Sequence, residues 1–246
     1  DRGPAMARES QAPVVALAKR RPADSYYTEL SVDLYGIHGM VKAGDMLINV
    51  SSSLLGEFNA ENILCAVSIA FSLGINPDII QNGIKNCPTV SGRMESFQLK
   101  NGASVIVDYA HTTDAYTKVL RTIHQMKIPE GKMNIVFGCG GDRDTTKRPE
   151  MGRIAEQFGD QLWITPDNPR SEEINEISDQ ILMGLSDSSH RVFEDRSVGL
   201  NAALTALNKE DILVVLGKGH ETYQEIKSEK IPYSDIKIIE TFIHEN

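Results

Sequence analysis

Cysteine, tryptophan and long apolar runs are what this 246-residue chain has least of, and each shortage closes off a class of function. Its three cysteines, Cys65, Cys87 and Cys139, cannot all pair within one chain and show no CxxC spacing, so a disulfide scaffold, a dithiol redox centre and a structural zinc site all lack their residues. They read as packing residues of a protein in a reducing, cytoplasmic compartment. No apolar run approaches the roughly 20 residues that span a bilayer, and no basic-then-apolar leader opens the chain, so membrane insertion is not expected. Basic residues are outnumbered too: 25 Lys and Arg against 34 Asp and Glu give a formal charge of -9, which removes any general attraction to nucleic acid or an anionic membrane. An anionic ligand must be met by local basic groups or backbone donors. GxxxxGKS/T, HExxH and a Ser-His-Asp set with its nucleophile elbow are also missing, so no catalytic residue and no metal ligand is assigned.

What is present is ordinary globular composition, 41% apolar and 24% charged, in a length that holds one sizeable α/β domain plus a partial or small one. The opening DRGPAMARESQAPV has no initiator methionine and no hydrophobic period, and the chain is expected to begin inside a longer one. A VVAL run at 14–17 reads as a strand, and between 26 and 50 β-like stretches alternate with glycines. Helices are expected at 59–73, stopping before Gly74, and at 77–85, opening on Pro77 and Asp78. PTVSGRME, between Cys87 and Phe97, reads as a linker and divides the chain into 1–90 and 91–246. Beyond it the pattern changes. Runs at 103–107 (ASVIV), 134–137 (NIVF), 161–165 (QLWIT) and 212–216 (ILVVL) have the character of strands buried on both faces, and helical patterns at 113–126, 149–158, 171–185 and 198–207 alternate with them. This alternation predicts a Rossmann-like, doubly wound α/β domain, with Trp163 in its core and ligands beyond the C-terminal ends of its strands.

Each polar cluster of note falls at such an end. Gly138-Cys139-Gly140-Gly141-Asp142-Arg143 and the following Lys147 and Arg148 combine glycines, which let backbone N–H groups approach a ligand, with guanidinium groups that match carboxylate or phosphate oxygens; a plain turn is an equal reading. In Asp167-Asn168-Pro169-Arg170, Asn168 can donate and accept, Pro169 stiffens the loop and Arg170 can grip a carboxylate. Taken alone, a capped turn with Arg170 paired to Glu172 or Glu173 is the commoner outcome. Gly217-Lys218-Gly219-His220-Glu221 adds a carboxylate able to pair with an ammonium. Arginine on one loop and glutamate on another are what a free amino acid, carrying both charges, requires. Asp108 and His111 either meet a ribose hydroxyl or a nearby charge, or cap their own loop.

Taken together, SSLLGEFNAENILCA, SGRMESF, VDYAHTTDA, FGCGGDRDTTKRPEMGRIAEQFGD, DNPRSEE and GKGHETYQ resemble the Mur ligases, from about Leu47 to near the C-terminus and in family order. The resemblance implies that 1–90 is the tail of a central ATP-binding domain without its phosphate loop, and that 91–246 is the C-terminal amino-acid-binding ligase domain. It implies ATP and Mg2+ as cofactors, UDP-N-acetylmuramoyl-L-alanyl-D-glutamate and meso-diaminopimelate as substrates in peptidoglycan precursor synthesis, and an N-terminal half of the same enzyme as partner. Arg143, Asp167, Asn168, Pro169, Arg170, Gly217 and Glu221 are implied for meso-diaminopimelate. Asn59, Asn62, Arg93 and Asp108 are implied for the nucleotide, with Tyr109 and His111 in the same motif as Asp108. Thr113 stands where the family commonly has proline, which relaxes the turn before the helix without changing the chemistry. The phosphate loop, the central-domain lysine expected to be carbamylated near magnesium and the N-terminal domain for the uridine nucleotide are missing, so the chain alone is expected to be inactive. Competing expectations are an L-lysine-adding or folylpolyglutamate-type ligase, against which DNPR argues, and a stand-alone amino-acid- or nucleotide-binding module.

Overall fold

The computed structural model describes residues 3–20, 22–87, 89–186 and 189–246. The chain divides into two compact units, up to residue 88 and from residue 89 on.

The first unit runs α1 (Gly3–Glu9), β1 (Leu17–Ala18), β2 (Ser25–Asp33), β3 (Gly36–Ala43), β4 (Met46–Ser52), α2 (Glu57–Ser72) and α3 (Pro77–Lys85). Strands β2 to β4 form an antiparallel meander, and β1 adds to β2 in parallel. Alternation puts Tyr27, Ile37, Val41, Ile48 and Val50 on one sheet face, where they pack against Ile63, Leu64 and Val67 of α2 and Ile80 of α3. Helix α2 stops as its sequence predicts: Gly74 takes φ +74°, and the Gly74 and Ile75 N–H groups bond Phe71 O and Ala70 O, closing the last turn. Asn76 caps α3 by accepting from Asp78 N at 2.8 Å, with Pro77 in the first turn. The strand expected at 14–17 is a correction. Pairing covers only Leu17 and Ala18, and Val14 and Val15 are exposed, because the chain is tied at Ala16 by bonds to Asp24 Oδ2 and Ser25 N.

The second unit contains β5 (Glu95–Gln98), β6 (Ser104–Asp108), α4 (Thr113–Met126), β7 (Met133–Phe137), α5 (Lys147–Phe158), β8 (Gln161–Ile164), α6 (Ile174–Leu182), β9 (His190–Val192), α7 (Arg196–Ala206), β10 (Ile212–Leu216), a hairpin of β11 (Tyr223–Ile226) and β12 (Glu229–Pro232), and α8 (Asp235–Glu245). Sheet order is β5-β6-β10-β7-β8-β9, parallel except for β5 at the edge, and every residue of β6, β7 and β10 is buried. The doubly wound α/β fold is borne out. One face carries α7 and α8 on Val105, Val107, Val136, Trp163, Leu213 and Val215. The other meets α4 through the Tyr116–Phe137 ring contact, and the end of α5 where Gly159 lies against Ile135 and Leu162. Strand β10 returns between β6 and β7, which opens a crevice at their C-terminal ends, where ligands bind in such sheets.

Three expectations shift. The stretch read as a linker up to Phe97 contains edge strand β5, held by pairs such as Glu95↔Val107. Helix α6 begins at Ile174 rather than 171, because Arg170 turns the chain at φ +52° and Glu172 is drawn toward Arg148. Cys139 is buried, 3.7 Å from Met151 Sδ, with burial pushing its thiol up to about 12, but Cys65 and Cys87 are exposed, so only one cysteine packs. Cys65 lies on α2 away from the core-facing Ile63, Leu64 and Val67. Among the described residues no helix is long and apolar enough to cross a membrane.

Candidate functional site

Four loops leave the C-terminal ends of β6, β7, β8 and β10 and surround a cavity of about 480 Å3. Close approach of their backbones depends on particular glycines. A Cβ on Gly141 would lie 1.9 Å from Pro169 O, and the Gly141 N–H bonds Asn168 O at 2.9 Å, so the second loop is laced to the third. Gly217 takes φ +107°, and a Cβ there would meet Asp167 Oδ2 at 2.4 Å.

The residues expected to hold an amino acid converge here with one exception. Arg143, Asp167, Asn168, Arg170, Gly217 and Glu221 line the cavity, whereas Pro169 is buried beside it, its carbonyl accepting from Glu172 N. Arg143 is exposed and makes no ion pair or hydrogen bond among the described residues. Arg170 donates through Nε to Glu225 Oε2 at 3.1 Å and through Nη1 to Gly141 O at 2.6 Å. The pairing of Arg170 with Glu172 or Glu173 is thus corrected: Glu172 instead accepts both terminal nitrogens of Arg148. Arg148 is itself buried and lines the cavity, and its Nε has no hydrogen-bond partner.

Lys218, assigned no role from sequence, lies at the centre of the acidic side. Its side chain is 0% exposed, and Nζ donates to Asn168 Oδ1 at 3.0 Å and Glu221 Oε2 at 2.9 Å, with Asp167 Oδ1 at 3.7 Å. A lysine has donors only, so Asn168 must turn Oδ1 toward it, which aims Nδ2 at Glu221 Oε2, 3.0 Å away. One oxygen of Glu221 is thereby taken, and Oε1 carries no hydrogen bond among the described residues. Burial works to raise the Glu221 carboxyl, but the bonds from Lys218 and Asn168 outweigh it and hold it below the ordinary range. Asp167 goes the other way: burial raises it against the opposing charges of Arg196 and Lys218.

Beneath the loops is a closed ion pair. Arg196 donates to both carboxylate oxygens of Asp235, to Thr165 Oγ1 at 3.0 Å and to Leu216 O at 2.9 Å, while Tyr233 donates to Asp235 Oδ1 at 2.6 Å. Both charged side chains are fully buried, and the pair ties the end of β8 to that of β10. Nothing in the sequence separates Arg196 and Asp235 from surface charges.

The residues expected to face a nucleotide fall on both units. In the first, Asn59 and Asn62 lie on α2, where Asn59 Nδ2 donates to Leu55 O and Asn62 Nδ2 to Asn59 Oδ1. In the second, Asp108 is buried and each oxygen accepts a backbone N–H, from Met94 at 2.9 Å and Ala110 at 2.8 Å; burial holds its carboxyl above the ordinary range despite those bonds. The geometry gives Asp108 a loop-holding task first. Arg93 is exposed with its guanidinium 4.9 Å from the Tyr109 ring centroid, and the His111 and His220 rings flank the same tyrosine.

The model of the Mur ligase glutamate ligase domain matches residues 92–219, from just before Arg93 to the GKG turn. The chain belongs to the Mur ligase family. It is 41% identical over 216 residues to the UDP-N-acetylmuramoyl-L-alanyl-D-glutamate–2,6-diaminopimelate ligase of a Nostoc species, covering 87% of this chain and 43% of that protein. It is 43% identical over 194 residues to the enzyme of the same name from Aquifex aeolicus, covering 78% of this chain and 39% of that one. A solved structure of a ligase of that name superposes with a TM-score of 0.74 at 30% identity, covering 96% of this chain and 48% of that chain. The chain therefore spans less than half the length of these Mur ligases. Thr113, expected to stand at a proline position, is the first residue of α4, where an N–H has no helical partner and proline is tolerated. The family match ends at Gly219; the contacts of Glu221 and Glu225 rest on the geometry above.

Proposed function

We propose that this chain is part of a ligase that joins meso-diaminopimelate to UDP-N-acetylmuramoyl-L-alanyl-D-glutamate. The observation that carries the reading is one cavity presenting unspent capacity of both signs. Arg143 is unpaired and Arg170 keeps its Nη2 free on one hand; Glu221 keeps Oε1 free on the other. The names of the relatives, and DNPR between these groups, support the choice of amino acid. meso-Diaminopimelate carries two carboxylates and two amines, and L-lysine lacks one of the carboxylates. An arginine aimed at that group discriminates by leaving itself unpaired when lysine binds.

In the proposed reaction the D-glutamate carboxylate, activated as an acyl phosphate by ATP, is attacked by the amine, and the tetrahedral intermediate collapses to the amide with loss of phosphate. The task of the described residues is positional. Arg143 and Arg170 hold carboxylate, Glu221 holds ammonium, and Asn168 and Lys218 fix Glu221, so that the attacking amine is presented in one orientation. Arg93, stacked on Tyr109 with its N–H groups unspent, fits a phosphate, and Asn59 and Asn62 are assigned to the adenine side. Among the described residues no cluster of three or more His, Cys, Asp or Glu fits a metal ion, so Mg2+ is given no ligand and no step here. The sequence holds no phosphate loop either, and the remaining length of the enzyme is assigned that loop and the uridine nucleotide.

Calorimetric titration of meso-diaminopimelate and L-lysine into the chain, beside Arg170→Ala, tests the reading. The expected result is selective binding of meso-diaminopimelate that the substitution abolishes, together with no ADP and no tripeptide from chain, ATP and nucleotide dipeptide. Equal binding of lysine contradicts the reading, and stoichiometric product from this chain alone contradicts the expectation that the chain is inactive by itself.

A further inference from the structure

Strand β11 lies along the DNPR loop and engages it residue by residue. Gln224, buried, donates through Nε2 to Pro166 O at 3.1 Å and Asp167 O at 2.7 Å. The Glu225 N–H donates to Asn168 Oδ1 at 2.9 Å, the Arg170 N–H to Glu225 O at 3.0 Å, and the Lys227 N–H to Arg170 O at 2.7 Å. This brackets Arg170 in the left-handed region at φ +52°, which a residue with a Cβ adopts only when its surroundings impose it. The Glu225 side chain then takes the Nε edge of the guanidinium, and Gly141 O takes one Nη1 hydrogen. An arginine has five N–H groups in a rigid fork, so these bonds leave Nη2 without a partner among the described residues and fix the direction in which it points.

We propose that Glu225 is a positioning residue for selectivity: by holding Nε it turns the open end of Arg170 to receive the second carboxylate of a dicarboxylic amino acid. This rests on the reading of the cavity given above. Glu225 has two separable properties, an acceptor atom that orients Arg170 and a negative charge that competes with the ligand for it. Glutamine keeps the acceptor and drops the charge; alanine drops both.

The test titrates meso-diaminopimelate and L-lysine into wild-type chain, Glu225→Gln and Glu225→Ala, and records the Arg170 Nε–H resonance in each without ligand. Glu225→Ala is expected to weaken meso-diaminopimelate by roughly threefold to tenfold, the cost of newly immobilising one long side chain, while lysine is unaffected. Glu225→Gln is expected to restore the wild-type preference to within about twofold or to sharpen it. The Arg170 Nε–H signal should be protected from exchange in wild type and glutamine variant and lost in alanine. An equal loss for both ligands in Glu225→Ala, no loss, or a glutamine variant as weak as alanine overturns the proposal. Should wild-type chain bind neither ligand, the reading of the cavity fails, and the resonance decides separately: a signal unchanged in Glu225→Ala overturns the clamp on Arg170, and its loss there retains it.

Discussion

Two groups of paired charges lie at the same end of the same sheet and differ in what they leave over. In the Arg196–Asp235 pair both side chains are fully buried and every buried atom has a partner, with Thr165, Leu216 and Tyr233 completing the set. Around the cavity, among the described residues, Arg143 has no partner, Arg170 keeps Nη2 free and Glu221 one oxygen. A closed cluster can only hold structure, whereas an open one keeps donors and acceptors available to a ligand. The contrast separates the part of the unit that fixes the strand ends from the part proposed to meet a ligand.

Breaking the closed cluster should have the largest effect. Asp235→Ala leaves a buried guanidinium uncompensated, and a loss of about 3–5 kcal/mol is expected in urea unfolding followed by the fluorescence of Trp163, the one tryptophan, which sits in the sheet of this unit. A smaller effect is expected where backbone meets backbone. Gly141→Ala puts a methyl group against Pro169 O and should cost about 1–3 kcal/mol in the same assay, because the two loops must part. Little or no loss would mean that the loops are not laced as described.

The opposed shifts of Glu221 and Asp167 sharpen the comparison further. Glu221 sits below its ordinary value, so the stability it contributes is fully present above the unfolded-state pKa and is lost as pH falls through the lower folded value. Asp167 sits above its ordinary value, so its contribution has the reverse sign: it is present at low pH and lost as pH rises through the folded value. Carboxyl-carbon titration by NMR should find Glu221 below 4.5 and Asp167 above 3.8. Finding both shifted the same way contradicts the placement of Lys218 between them.

Much of this arrangement was legible from residues alone. Strands β6, β7, β8 and β10 are built around apolar runs (VIV, IVF, LWI and ILVVL) because both faces are covered, and each is followed by its polar cluster, so the loops around the cavity follow from periodicity and from glycine and arginine placement. Strands β5, β9 and β12 escaped because they are short, polar edge or hairpin strands whose residues look like loop. The buried charges escaped for a different reason. Arg196, Lys218 and Asp235 carry no signal in the sequence, since Arg196 and Asp235 lie 39 residues apart and Lys218 meets Asn168 across 50 residues, and only the fold brings them together. The hairpin that orients Arg170 is invisible in DNPR itself.

The most direct test of the distinction between closed and open charge is Arg143→Ala, measured by thermal unfolding and by calorimetric titration of meso-diaminopimelate on the same preparation. Arg143 is exposed and unpaired, so the account predicts an unchanged melting temperature and an affinity lower by roughly tenfold to a hundredfold, the worth of hydrogen bonds to a charged group. A lowered melting temperature with unchanged affinity would contradict it.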